Sequence, residues 1–202
     1  VLVVATLRNT VNRTAALLTE AGLEPCKAEL GSLAAMRLAW NQIKTTANIP
    51  NFAFLHLESD QATLALLNNC GLIFHRSFSW ESSSNLNLGA IPVAGEEDQS
   101  QAWRWRQMAE EILQCLRHIE RRAVGSWPEF VTLSGVLAEE PGVASAIRTV
   151  CGTETRLINI ENSLDWSKVK RPNGPLSAWT SLVAIALPQT TVAAVNKKRR
   201  VA

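Results

Sequence analysis

Between residues 52 and 78 the chain changes period, and that change limits its fold more than any other feature. Phe52–Leu57, Ala62–Leu67 and Leu72–Phe78 are three short apolar runs of strand length, broken by Glu58-Ser59-Asp60 and by Asn68-Asn69-Cys70-Gly71. The second break holds Asn and Gly, which tolerate positive φ in tight hairpins, so the stretch predicts a three-strand antiparallel meander. On both sides of it apolar residues recur at helical spacing. Strands flanked by helical segments point to an α/β domain.

Upstream, Val1–Thr6 reads as a strand buried on both faces. A helix follows, capped by Asn9 or Thr10, with Val11, Ala15 and Leu18 along one face and Gly22 at its left-handed end. Pro25–Leu30 predicts a second strand, and Ser32 caps a helix whose apolar face is Leu33, Met36, Trp40 and Ile43. Downstream, Trp80–Gln99 is polar and Gly-bearing and predicts a loop, before a long helix over Gln101–Arg122 with Trp105, Met108, Ile112, Leu116 and Ile119 on one side. Trp103 falls toward the polar face of that helix, either covered by Arg stems or serving as an anchor for a partner. Phe130–Leu133 predicts a strand, 141–150 a helix and Arg156–Ile160 a further strand. A polar linker, Asp165–Gly174, leads to Leu176–Leu187, bracketed by Pro175 and Pro188. Those twelve residues are the length of a core helix. Counting on to Val195 approaches a membrane span, but Pro188, Gln189, Thr190 and Thr191 interrupt it.

Composition excludes several classes of function. Hydrophobic residues are 47% and charged residues 19%, which is globular rather than disordered. Twenty Lys and Arg oppose eighteen Asp and Glu, and Lys197, Lys198, Arg199 and Arg200 supply the surplus, so the body lacks the basic surface that nucleic acid needs. Cys26, Cys70, Cys115 and Cys151 are widely spaced without a CxxC pair, a pattern of reduced, buried thiols in a cytosol. The chain opens on Val1 without a charged n-region, so it predicts no signal peptide and reads as a segment of a longer protein.

Signals for chemistry are sparse. His56, Glu58 and Asp60 alternate and would share one face of a continuing strand, as a metal site or an acid–base pair requires. Glu58 and Asp60 also fall where the hairpin turns, which makes them solvated turn residues on the other reading. His75 and His118 lack partners at ligand spacing, Ser134 lacks the G-x-S-x-G frame, and neither a P-loop nor G-x-G-x-x-G occurs. No catalytic residue and no metal site is expected.

Taken in order, longer passages carry a resemblance. Val1-Leu-Val-Val-Ala-Thr6, the helix ending Glu20-Ala-Gly-Leu-Glu-Pro25, the helix Leu33–Trp40, the strand pair Phe54–Leu66, Cys70-Gly-Leu-Ile-Phe-His-Arg-Ser77, Leu133-Ser-Gly-Val-Leu-Ala138 and Gly142 follow one another as in the actin-like ATPase superfamily. They resemble most closely its PilM-type type IV pilus assembly proteins, relatives of the division protein FtsA. The resemblance implies an actin-like, ribonuclease H-like fold. Residues 1–50 would end an inserted subdomain and first lobe, 51–187 would be a reduced second lobe, and 188–202 a basic tail. It places a vestigial nucleotide pocket at Glu58, Ser59, Ser134 and Gly135, and Trp103 as a partner contact. The family's Asp-Ile-Gly and following Thr align with His56-Leu57-Glu58 and Ala62, and Val136 replaces the second glycine of the adenosine-side turn. A subdomain that faces the nucleotide is reduced to Trp80–Gln99. ATP is therefore not an expected cofactor. The implied function is a non-catalytic cytoplasmic scaffold of a pilus or type II secretion-like platform, peripheral to the inner membrane. It would bind the cytosolic tail of a bitopic membrane protein and is compatible with homo-oligomerisation. The alternatives are a divergent ATPase using Glu58 and Asp60, and a membrane-anchored accessory protein with Leu176–Val195 as anchor.

Overall fold

The computed structural model describes residues 5–26, 28–44, 49–79, 96–123, 125–165, 167, 171 and 173–187. The chain forms two compact units, Val1–Leu30 and Gly31–Ala202. In the first, α1 (Arg8–Glu20) starts after Leu7 rather than at Asn9 or Thr10, and none of its residues is buried. Gly22, at φ +79°, turns the chain after α1 as the sequence implies. The strand expected over Val1–Thr6 lies mostly outside the described residues. The one expected over Pro25–Leu30 does not form at 25–26 or 28–30, where the backbone has no partner strand to complete a ladder.

The second unit holds a five-stranded sheet. Its elements are α2 (Gly31–Ile43), β1 (Phe52–Leu57), β2 (Gln61–Asn68), β3 (Gly71–Ser79), α3 (Glu96–Arg122), β4 (Phe130–Ser134), α4 (Val143–Cys151), β5 (Glu154–Leu157) and α5 (Thr180–Ala186). Strand order is β3-β2-β1-β4-β5. The meander β1–β2–β3 is antiparallel as expected, while β1, β4 and β5 run parallel, with α4 crossing between β4 and β5. Every residue of β1 and β4 is buried, which fits central strands covered on both faces.

Side-chain alternation divides the core in two. Ala53, Leu55 and Leu57 of β1 and Val131 and Leu133 of β4 pack against Trp105, Met108, Ile112, Leu116 and Ile119 of α3 and Val143 and Ile147 of α4. The expected buried face of α3 is thus the observed one, though α3 begins at Glu96, inside the expected loop. Trp80–Gly95, the rest of that loop, lies outside the described residues. On the opposite face Phe52 and Phe54 meet α2 and α5.

Here the sequence reading needs correction. In α2 the buried residues are Ala34, Ala35, Leu38 and Ala39, with Leu33, Met36, Trp40 and Ile43 only partly covered. Small residues let α2 approach α5 closely: a Cβ on Gly31 would lie 3.2 Å from the Ser181 side chain, and the Arg37 guanidinium donates to the Ala184 carbonyl at 2.8 Å. The last segment is not one core helix but a 3₁₀ turn (Leu176–Trp179) followed by α5, which buries Thr180, Val183 and Ala184 and leaves Trp179, Leu182 and Ile185 exposed. Strand β5 ends at Leu157 rather than Ile160. Ile158 and Ile160 are still buried, which is why they read as strand. Of the four thiols, which are all free, Cys115 and Cys151 are buried while Cys26 and Cys70 are exposed. Among the described residues no helix is long and apolar enough to cross a membrane.

Deleting the chain after Arg171 removes Val183 and Ala184 from the core layer they share with Ala34, Ala35, Leu38 and Ala39 of α2. Loss of several buried side chains at about 2–5 kcal/mol each exceeds the stability of an ordinary domain. The truncated protein is expected to lose cooperative urea unfolding; a sharp transition with a native-like midpoint would contradict this packing.

Candidate functional site

In sheets with parallel strands, ligands bind beyond the carboxyl ends of those strands. Here that edge is formed by Leu57 and Ser134, the last residues of β1 and β4, with His56 and Ser134 directly opposite each other in the ladder. Both side chains point to the α2–α5 face, since their neighbours Leu55, Leu57 and Leu133 take the other. His56 is 5% exposed and Ser134 not at all.

The two make a hydrogen bond, His56 Nδ1 to Ser134 Oγ, at 3.1 Å. The hairpin 58–61, closed by the Glu58 N–H donating to the Gln61 carbonyl at 2.8 Å, turns Glu58 back so that its Oε1 lies 2.7 Å from His56 Nε2. The Ser181 hydroxyl, from α5, is 3.4 Å from the same nitrogen. Burial holds the His56 imidazole below its ordinary pKa against the opposing pull of Glu58. A neutral ring whose Nε2–H donates to the acceptor-only carboxylate leaves Nδ1 to accept the Ser134 hydroxyl proton. This serine–histidine–carboxylate order is that of a hydrolase relay, but a serine with no exposed surface receives no acyl group. The arrangement is a hydrogen-bonded network around a buried imidazole and hydroxyl.

Gly135 is held there by a backbone constraint. Its φ is +97°, and a Cβ would sit 2.2 Å from the Leu57 carbonyl oxygen and 2.7 Å from the Leu57 nitrogen. The glycine is required by the approach of the β4 turn to the end of β1, with or without a ligand. Its N–H donates to the Ser177 carbonyl at 3.1 Å. The Ser177 N–H donates in turn to Glu139 Oε1 at 3.0 Å, and the Thr180 hydroxyl to the Ser177 carbonyl at 2.7 Å. The segment Leu176–Ala186 thus supplies partners for the groups at the carboxyl edge of β1 and β4.

Of the sequence-predicted site residues, Glu58, Ser134 and Gly135 come together, joined by His56. Ser59 and Asp60 are exposed in the hairpin and, among the described residues, join no such network. Glu58 is half-exposed and pairs with His56, so it is more than a solvated turn residue. Trp103 is 51% exposed on α3. Sequence reading missed Glu139, Ser177, Thr180 and Ser181. Their only signal is that Ser177, Thr180 and Ser181 interrupt an otherwise apolar run. Among the described residues no group of three His, Cys, Asp or Glu side chains could hold a metal.

Two substitutions test this edge. With its native pKa lowered, His56 stays neutral while the unfolded chain takes up a proton below about pH 6.5, so stability rises with pH there and falls on acidification. Replacing it, His56→Gln, is expected to flatten the dependence of the urea midpoint on pH between about 6.5 and 5. It does not abolish that dependence, because burial lowers the pKa of His75 as well. An unchanged slope would show that His56 is not buried neutral. Gly135→Ala is expected to cost about 3 kcal/mol or more through strain and the clash with Leu57; a loss below about 1 kcal/mol would contradict the close approach.

No profile of a known family matches the sequence, and no curated protein matches it. Solved structures do. A chain of a PilM–PilN type IV pilus biogenesis complex superposes with a TM-score of 0.64 at 18% identity, covering 87% of this chain and 56% of that one. The ethanolamine utilization protein EutJ from Carboxydothermus hydrogenoformans gives a TM-score of 0.56 at 12% identity, covering 91% of this chain and 62% of the other. The chain therefore spans less than two thirds of the length of either. At such identities the likeness is one of fold, and the fold is the actin-like α/β fold.

Proposed function

We propose that the chain is part of a non-catalytic, actin-like scaffold in a type IV pilus or type II secretion-like assembly platform. In this reading it docks on the cytosolic tail of an inner-membrane partner and works at the cytoplasmic face of that membrane. The observation that carries it is the occupation of the carboxyl edge of β1 and β4 by the chain's own groups. A nucleotide phosphate needs closely approached, uncommitted N–H groups, a glycine where a side chain would intrude, and a carboxylate free to hold Mg²⁺. The Gly135 N–H is committed to Ser177, Glu58 to His56, and His56 itself to Ser134. Supporting the platform reading are the superposition on the PilM–PilN complex and the order of sequence passages that resemble PilM-type proteins. Residues 1–50 then end a first lobe and 51–187 form a reduced second one, with Trp103 as a candidate partner contact and self-association as a further property of the platform.

Calorimetric titration of the full-length protein with Mg-ATP checks the non-catalytic part. The expected dissociation constant is about millimolar or weaker, given the committed donors and the negative charge of Glu58. Micromolar binding abolished by Glu58→Ala would sink the scaffold reading in favour of a divergent ATPase.

A further inference from the structure

Among the described residues the sheet ends on two strands, and the two edges are built differently. One is β5, four residues long, whose Glu154 and Arg156 pair with each other at 3.2 Å. Short length and charge are common protections of an edge strand against pairing with another chain. The other is β3, which runs nine residues and has no lysine, proline or acidic residue. Its register shift, at Leu66/Leu67, falls near its start and leaves 74–79 in unbroken register with 61–66. Burial holds the His75 imidazole below its ordinary pKa, so Arg76 is the single charge of the strand at neutral pH. That guanidinium lies 3.0 Å from Glu111 and 3.4 Å from the Cys115 sulfur of α3, on the face where Phe74 and Phe78 are partly covered. Arg76 is thus neutralised within its own chain. Among the described residues no hydrogen bond meets the outer backbone row of β3.

We propose that β3 is a self-pairing edge, to which a second copy of this chain adds its own β3 antiparallel about a two-fold axis, joining the two sheets. An edge strand offers alternate N–H and C=O groups, so what recognises it is another extended backbone. Two features favour a copy of β3 over a free peptide. Both strands are already held extended, each by eight ladder pairs with its own β2, so pairing does not carry the cost of ordering a flexible segment. Each also arrives with its one cation beside its own Glu111, so the two-fold seam brings no net like charge together. Pairing over 74–79 makes a small interface beside the roughly 1,600 Å² of a standard complex, so a dissociation constant of about 10–100 μM is expected. This pairing gives a surface to the self-association in the scaffold reading and rests on that reading for its role alone. Its test contains neither nucleotide nor membrane partner, so the two fail separately.

The test is sedimentation equilibrium of the full-length protein from about 5 to 500 μM, with site-resolved amide hydrogen exchange at both ends of that range. A monomer–dimer equilibrium is expected, in which alternate amides of 74–79 gain protection as the dimer forms. Ser77 and Ser79 are both exposed, and Ser77→Lys with Ser79→Lys places on the seam the charge that protected edges carry. The pair of changes should weaken the dimer about tenfold or more, most strongly at low salt. Circular dichroism and a urea midpoint close to that of the unaltered protein establish that the variant folds. Should loss of the Ser77–Thr63 hydrogen bond unfold it, the exchange pattern of the unaltered protein decides. A protein that stays monomeric throughout, whether its edge is covered by the chain itself or kept for a different protein, overturns the proposal. So does a dimer that the two lysines leave intact, and so does protection gained elsewhere while the amides of 74–79 exchange as in the monomer.

Discussion

The contact on which the carboxyl edge of the sheet depends is the approach of Gly135 to the backbone of Leu57. A Cβ there would stand 2.2 Å from the Leu57 carbonyl oxygen, a distance no side chain tolerates. The parallel pairing of β1 and β4 up to His56 and Ser134 brings the turn that close. With the turn pressed on β1, the Gly135 N–H points to the Ser177 carbonyl, and the 3₁₀ turn and α5 settle over the edge. Packing of α5 on the alanines of α2 then completes the second core layer.

The sequence resemblance would make Gly135 part of a nucleotide pocket. The residue has a sufficient structural reason of its own, because the strand ends meet there. The polar residues around it follow the same logic. His56 would be costly to bury unpaired, and Ser134 on one ring nitrogen and Glu58 on the other satisfy it. At the edge where an open α/β sheet commonly receives a ligand, these groups of the chain hydrogen-bond one another.

How much of this was legible in the sequence depended on whether the determining contacts were local. The meander was legible because short apolar runs of strand length and the Asn68–Gly71 break are short-range signals, and the core face of α3 because Trp105, Met108, Ile112, Leu116 and Ile119 keep helical spacing. The burial of α2 was read only in part. Met36, Trp40 and Ile43 do pack on the core, but the fully covered positions are Ala34, Ala35, Leu38 and Ala39, where small residues let the helices approach. The last segment was misread for a similar reason, since hydropathy does not distinguish Val183, turned inward, from Leu182, turned out. At the site, the order of passages singled out Glu58, Ser134 and Gly135. Their partners Ser177 and Ser181 come from far along the chain, and only the fold brings them there.

The central claim is that the carboxyl edge of β1 and β4 is closed by the chain itself, and the Gly135 amide reports on it most directly. Site-resolved amide hydrogen exchange by NMR should find Gly135 strongly protected in the free protein, with its exchange rate and chemical shift unchanged by excess Mg-ATP. An amide that exchanges freely, or one whose shift moves together with the His56 ring resonances as Mg-ATP is added, would contradict the account.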